Sequence, residues 1–253
     1  MSLIDIEKNL KKYLPAGGDT VKKAMRYSTL SGGKRIRPLL VLEAARACSG
    51  SLKEAMPAAC AAEFAHTYSL IHDDLPAMDD DDVRRGKPAC HKVFGEANAI
   101  LAGDALLTLA FETIARYADP KRSPAIIEEL SRAVGPDGMV LGQAMDLEYR
   151  GVKKSKATAK KIDALKTARL FEACAKIGAI SAGASDKKIT AMGRFGLYFG
   201  LSFQAVDDHI DGENNARLEA FALVKKAKSQ LNMFGKKAEK LKAIADYAVR
   251  RQA

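Results

Sequence analysis

Tryptophan is absent from this 253-residue chain, aromatic residues make up only 6% of it, and cysteine occurs four times. Cys48, Cys60, Cys90 and Cys174 never fall into a Cys-x-x-Cys pair. That excludes a zinc ribbon or a disulfide framework and leaves buried free thiols as the expectation. No apolar stretch reaches the roughly 20 residues that span a bilayer. The start Met1-Ser2-Leu3-Ile4-Asp5-Ile6-Glu7 lacks a basic region leading into an apolar signal segment. A soluble, cytoplasmic protein without stable membrane association is therefore expected. Sustained two-residue alternation of Val, Ile or aromatic residues is missing as well, which argues against half-exposed strands. There is no Pro-, Gly- or Ser-rich linker, low-complexity tract or tandem repeat. With 47% hydrophobic residues, one domain over residues 1–253 with a sizeable core is expected.

What the chain does contain is alanine-rich helical periodicity. Apolar residues recur at three- and four-residue intervals near 20–31, 35–48, 53–73, 96–118, 123–133, 136–150, 159–182, 186–209 and 216–250. In the third of these, Ala61, Phe64, Ala65 and Tyr68 form one stripe. Breaks fall at Ala16-Gly17-Gly18-Asp19, Gly32-Gly33, Ser49-Gly50, Pro76, Gly86-Lys87-Pro88 and Asp119-Pro120, where Gly and Pro interrupt helices. Short connections of this kind predict an all-α helical bundle. The net charge of +10 and pI near 9.4 raise the question of a nucleic-acid partner. Its distribution argues against one, because much of the excess (Lys225, Lys226, Lys228, Lys236, Lys237, Lys240, Lys242, Arg250, Arg251) alternates with apolar residues as on a solvated helix face.

Two aspartate clusters stand out in this basic chain: Asp73, Asp74, Asp79, Asp80, Asp81 and Asp82, then Asp207, Asp208 and Asp211. Each follows an apolar run. Carboxylates crowded at a buried helix end protonate, reach solvent or hold hard divalent cations, and the last option explains both clusters. Asp207 and Asp211 are four residues apart and Asp208 and Asp211 three, so all can share a helix face. Asp73 and Asp79 are six apart with Pro76 between them, which predicts a bend that brings both to one ion. Oxygen ligands without cysteine favour Mg²⁺ or Mn²⁺ over zinc, and Mg²⁺ commonly shares phosphate oxygens. The cations agree with a phosphorylated partner. Lys34 and Arg37 are expected one helical turn apart behind Gly32-Gly33, and Arg84-Arg85 follow the first cluster.

These stretches carry a resemblance. Gly32-Gly33-Lys34-Arg35-Ile36-Arg37-Pro38, His72-Asp73-Asp74-Leu75-Pro76-Ala77-Met78-Asp79 through Arg84-Arg85-Gly86, and Phe203-Gln204-Ala205-Val206-Asp207-Asp208-His209-Ile210-Asp211 resemble the short-chain trans-prenyl diphosphate synthases, nearest their bacterial farnesyl-forming members. Leu101-Ala102-Gly103-Asp104-Ala105-Leu106, Gly142-Gln143-Ala144-Met145-Asp146-Leu147 and Lys166-Thr167 follow in the same order, and the likeness runs from about residue 20 to 212. It implies the isoprenoid synthase type of all-α bundle with a deep central pocket, and a homodimer. It further implies condensation of isopentenyl diphosphate with an allylic diphosphate. Asp73, Asp79 and Asp207 would be ligands for Mg²⁺, up to three ions, with Mn²⁺ possible, and Asp208 and Asp211 would assist. By the same likeness, isopentenyl diphosphate would sit on Lys34, Arg37, His66 and Arg85. Arg84 and Lys166 would add charge around the allylic diphosphate, and Thr167 and Gln204 would line the reacting carbons.

His66 lies seven residues before Asp73, about two helical turns, and so shares its face. His72, His91 and His209 are read as structural. Tyr68, five residues before Asp73, resembles the floor of a farnesyl-forming pocket. A geranylgeranyl-forming enzyme, a class I terpene cyclase and a weakly active partner subunit are the competing readings. A cyclase would not need Lys34, Arg37 and Arg85 for a second diphosphate. The likeness fails after Asp211, where Gly212-Glu213-Asn214-Asn215 replaces an expected glycine- and lysine-containing loop.

Overall fold

Alanine fills the middle of the longest helices, and the architecture follows from what so small a side chain permits. The computed structural model describes residues 3–210 and 216–250, with the side chains of 207–210, 248 and 250 outside the described set. Its helices are α1 (Leu3–Tyr13), α2 (Thr20–Leu30), α3 (Ile36–Ala47), α4 (Leu52–Asp73), α5 (Cys90–Phe94), α6 (Glu96–Tyr117), α7 (Ser123–Val134), α8 (Met139–Glu148), α9 (Lys156–Asp163), α10 (Arg169–Ser181), α11 (Asp186–Ile210), α12 (Ala216–Gln230) and α13 (Glu239–Arg250). A π-turn at Ala164–Ala168 joins α9 to α10, and a 3₁₀ segment, Asn232–Ala238, precedes α13. Strands β1 (Val83–Arg84) and β2 (Lys87–Pro88) form one small antiparallel hairpin.

Helix α4 is the axis of the bundle. Ser51 caps it, its hydroxyl accepting from the Glu54 backbone N–H, in a Ser-x-x-Glu capping sequence. Ala55, Ala58, Ala59, Cys60, Ala61, Ala62, Phe64 and Ala65 are all buried. A helix apolar on every side belongs in a core, and α4 packs against α3, α6 and α10. Behind it, α10 lies on α11, where Phe171 meets Phe199 edge-on at 5.1 Å and Phe203 at 5.4 Å. Most of the buried apolar residues, from Ile6 to Val249, form one connected cluster. All four cysteines are buried free thiols, as expected.

Several boundaries differ from the sequence reading. α1 was not anticipated, although its buried Ile6 and Leu10 sit at helical spacing. The helix expected at 216–250 is broken where Gly235 adopts φ 56° and ψ −139°, which a side chain would disfavour. The segment expected at 159–182 begins at Lys156 and contains the π-turn. Contrary to the absence of a span-length apolar run, α6 is long and apolar enough to cross a membrane, with a mean hydropathy of 1.3. Its inward stripe Ala99, Ala102, Leu106, Ala110 and Ile114 is fully buried within the bundle, where α6 packs on α4.

Candidate active site

A cavity of about 880 Å³ opens between the start of α3, α4, the hairpin, α8, the π-turn and α11. Lys34, Arg37, His66, Tyr68, Asp73, Arg84, Arg85, Lys166, Thr167 and Gln204 all line it. Residues far apart in sequence, proposed for one site on spacing and resemblance, therefore share one space. Asp79 is at its rim rather than among the lining residues. Asp207 and Asp208 lie on α11 with side chains outside the described set, and Asp211 lies outside the described residues altogether.

One wall is built of guanidinium groups. The hairpin turns through Arg85 (φ 55°) and Gly86 (φ 72°), the two positive-φ positions of a tight two-residue turn. That turn sends Arg85 back under the glycine pair, where its Nη1 donates to the Gly32 carbonyl at 2.6 Å. A Cβ on Gly33, itself at φ 122°, would lie 2.9 Å from the Arg85 Cζ. The glycine pair is thus more than a turn, since it lets backbone and guanidinium pack together. Lys34 and Arg37 are not one helical turn apart as expected, because Arg35 adopts φ 48° and α3 begins only at Ile36. This left-handed residue drives its own side chain inward. Arg35 Nε donates to Glu7 Oε1, Nη1 to Glu63 Oε1 and Nη2 to the Thr29 carbonyl, each at 2.6 Å.

Glu63 must also answer Arg85, whose Nη2 stands 3.6 Å away. Arg37 rests over the Phe171 ring at 4.5 Å, and its Nε has no partner among the described residues. Burial, with Arg85 adding to it, lowers the Arg37 pKa, though Cys174 and Glu63 oppose the shift. His66 is pushed well below the usual histidine range by burial first, and then by Arg37, Arg85, Arg35 and Arg84. Its ring is neutral at pH 7 and serves as a hydrogen-bonding group, while the arginines supply the charge. This wall holds more positive charge than its carboxylates neutralise and is suited to an anion.

The other wall carries carboxylates. α4 ends at Asp73, and the chain bends through Pro76 so that the Asp79 N–H donates to the Asp73 carbonyl at 2.8 Å. The bend expected from Pro76 is present. Asp74 is buried and belongs to Arg84, whose Nε donates to its Oδ1 at 2.8 Å while Nη2 bridges Asp74 and Asp81. The Asp73 carboxylate, unlike its backbone carbonyl, accepts no hydrogen bond from the described residues. Burial raises its pKa, Asp79 adds to the rise against the pull of Lys166, and the carboxyl stands at about 6. A half-buried carboxyl of this kind, facing the cavity beside a second aspartate, fits a divalent cation.

Across the cavity, the π-turn swings Lys166 and Thr167 inward. Such single-turn bulges re-aim side chains and are frequent at functional sites. The turn is possible because Gly142 on α8 offers no side chain: a Cβ there would lie 2.3 Å from the Lys166 backbone nitrogen. Thr167 Oγ1 donates to Gln204 Oε1 at 3.2 Å, so the two expected partners touch. Lys166 Nζ binds Asp146 at 2.8 Å and Lys154 binds the same carboxylate at 2.6 Å. Burial alone would raise the Asp146 pKa, but these two ammonium groups bring it below the usual value.

Arg150 was missed by the sequence reading. Its Nη2 lies 2.5 Å from Asp79 and its Nη1 donates to the Met78 carbonyl, so it closes the rim between α8 and the aspartate loop. No sequence pattern marks it, because the contact spans 71 residues. Apolar residues line the rest of the cavity: Tyr68, Met139, Leu147 and Phe203 inside it, with Val140, half exposed, towards solvent. Tyr68 is 7% exposed, and its hydroxyl reaches towards the Val134 carbonyl at 3.5 Å.

Comparison with known proteins decides the family. The sequence model of the polyprenyl synthetase family matches residues 19–218. This chain belongs to the polyprenyl synthetase family. It is 46% identical over 214 residues to a farnesyl diphosphate synthase of Geobacillus stearothermophilus, covering 82% of this chain and 72% of that one. It is 48% identical over 199 residues to the large subunit 1 of a heterodimeric geranylgeranyl pyrophosphate synthase of Arabidopsis thaliana, covering 76% of this chain and about half, 54%, of that one. A solved FPP/GFPP synthase from Zymomonas mobilis superposes with a TM-score of 0.92 at 39% identity, covering 97% of this chain and 95% of that chain. The expected all-α fold of the isoprenoid synthase type is thereby confirmed.

Proposed function

We propose that this protein is a prenyltransferase that condenses isopentenyl diphosphate with an allylic diphosphate to give farnesyl diphosphate, in two rounds from dimethylallyl diphosphate or in one from geranyl diphosphate. One observation carries the reading: a single cavity joins a guanidinium wall, a carboxylate rim and an apolar floor, which match a diphosphate, a divalent cation and a hydrocarbon chain. Asp73 and Asp79, with Asp207 from α11, would hold Mg²⁺ or Mn²⁺, which when bound neutralises charge on the leaving diphosphate.

The chain's own groups do the rest. Arg84 and Lys166 flank the allylic diphosphate and stabilise the negative charge that grows on it as its carbon–oxygen bond ionises. Lys34, Arg37 and Arg85 hold the second diphosphate, and neutral His66 directs a hydrogen bond to it. Thr167 Oγ1 and Gln204 Oε1 turn their dipoles towards the allylic cation, and the apolar lining around Tyr68 and Phe203 disfavours water beside it. The double bond of isopentenyl diphosphate then attacks the allylic carbon, and the carbocation this new carbon–carbon bond leaves behind loses a proton to the departed diphosphate. Tyr68 limits chain growth. Residues 1–253 act as one domain around the connected core, in the cytoplasm, and as a homodimer for which exposed Ile100 and Leu101 on α6 offer apolar contact.

Incubation with isopentenyl diphosphate plus dimethylallyl or geranyl diphosphate, with and without Mg²⁺, tests the reading. Farnesyl diphosphate formed only with metal is expected, whereas metal-independent turnover or a cyclised hydrocarbon would overturn it. Tyr68→Ala is expected to lengthen the product, and an unchanged distribution would remove Tyr68 from the floor.

A further inference from the structure

On the aspartate loop, among residues that do not line the cavity, an acidic pair meets a histidine. Candidate ligand atoms of Asp80, Asp82 and His91 all lie within 4.8 Å of one another. Two backbone bonds bring them together: the Asp80 N–H donates to the Leu75 carbonyl at 3.1 Å, and the Ala89 N–H donates to the Asp82 carbonyl at 2.8 Å. The second bond sets the start of α5, and so His91, against the loop. His91 is only 6% exposed, and neither ring nitrogen has a hydrogen-bond partner among the described residues. A buried polar group so left requires an explanation, and a bound ion is one of the few available. Asp80 and Asp82 are exposed, so they can rotate, while the imidazole is fixed by packing.

We propose that Asp80, Asp82 and His91 form a second divalent-cation site, distinct from the Asp73–Asp79 rim and selective for Zn²⁺ over Mg²⁺. One imidazole nitrogen with two carboxylate oxygens is a zinc donor set that leaves a fourth position to water. Mg²⁺ instead requires near-octahedral oxygen ligation and keeps its waters. Lys92, whose Nζ lies 2.6 Å from Asp82, is the competitor: it is a flexible, exposed ammonium that the ion displaces. Occupied, the site ties the loop that carries Asp79 to α5 and steadies the rim from outside the cavity.

The test uses the full chain carrying Asp73→Asn and Asp79→Asn, which removes the described carboxylates of the rim. Titration with Zn²⁺, and with Co²⁺ as a visible probe, is expected to show a single equivalent bound with Mg²⁺ far weaker. Adding Asp80→Asn and Asp82→Asn, both exposed and so harmless to folding, should weaken Zn²⁺ by about 10-fold or more. His91→Gln should do the same, with circular dichroism confirming the fold. Lys92→Ala should tighten binding. Loss of Zn²⁺ binding in the rim-deficient background, affinity unmoved by the Asp80/Asp82 or His91 variants, or equal affinity for Mg²⁺ would each overturn the site.

Discussion

On the guanidinium side of the cavity, Arg35 and Glu63 meet with side chains 1% and 2% exposed, whereas on the carboxylate side Arg150 and Asp79 meet with 54% and 31% exposed. The first pair is sealed. Removing one member of such a pair leaves an uncompensated buried charge. The second pair is half in water, where an ion pair contributes little and exchanges readily. The wall that is to hold a substrate anion is thus assembled permanently, from charges that do not leave. On the proposed function, the outer metal ligand Asp79 is kept by a cation that can be replaced, Arg150, and Asp146 beside the cavity keeps Lys154 and Lys166, whereas buried Asp74 is held by Arg84. If the cavity takes up and releases a metal–diphosphate complex as proposed, this division suits it.

The sharpest way to break the permanent wall is Glu63→Ala. It strands Arg35 and removes the carboxylate facing Arg85 together. A loss of about 3–5 kcal/mol in urea unfolding is expected, with Glu7→Ala, half exposed, costing far less. Equal costs for the two would mean that the buried network is not what holds the wall.

Asp73 comes next, on the exchangeable side. Asp73→Asn is expected to lower turnover about 10²–10³-fold. It also has a signature in stability. The Asp73 pKa is raised from 3.8 to about 6 in the folded protein, so the folded state holds this proton more tightly than the unfolded one. Its contribution is complete below pH 3.8 and is lost as pH rises through about 6, by up to about 2 kcal/mol after allowance for its open side. Thermal melts of the metal-free protein should show that loss, Asp73→Asn should flatten it, and Mn²⁺ should stabilise more at pH 8 than at pH 5 if the ion binds here.

How much of this was legible in the sequence follows the same division between local and distant. The aspartate loop, the glycine pair and the Lys166-Thr167 step are contiguous motifs whose chemistry is written in neighbouring residues, so the site could be assembled by spacing and resemblance. Helices read off well where Gly and Pro punctuate them. The Arg35–Glu63 pair spans 28 residues and the Arg150–Asp79 pair 71, and no periodicity encodes such contacts. The left-handed Arg35 was illegible because nothing in its identity demands that backbone, and α3 therefore starts later than apolar spacing suggested. The π-turn depends on the space left by Gly142 on another helix, so no local pattern reveals it.

That dependence gives a smaller prediction. Gly142→Ala inserts a methyl group against the Lys166 backbone, so the π-turn must shift. A cost of about 1–3 kcal/mol is expected, with turnover falling more than substrate affinity because Thr167 and Gln204 lose register. A variant with intact turnover and an unchanged melt would show that the α8 contact does not set the turn.

The mildest test acts on the provisional cation itself. If Arg150 merely substitutes for a metal at Asp79, Arg150→Gln should raise the affinity of the free protein for Mn²⁺, and by no more than an exposed ion pair is worth, roughly fivefold at most. The same change should leave the unfolding free energy nearly untouched, unlike Glu63→Ala. If Arg150→Gln instead weakened Mn²⁺ binding, its bond to the Met78 carbonyl would be the decisive one, holding Asp79 in place for the ion. The contrast between the sealed wall and the exchangeable rim would then have to be redrawn, with one fixed arginine on each side.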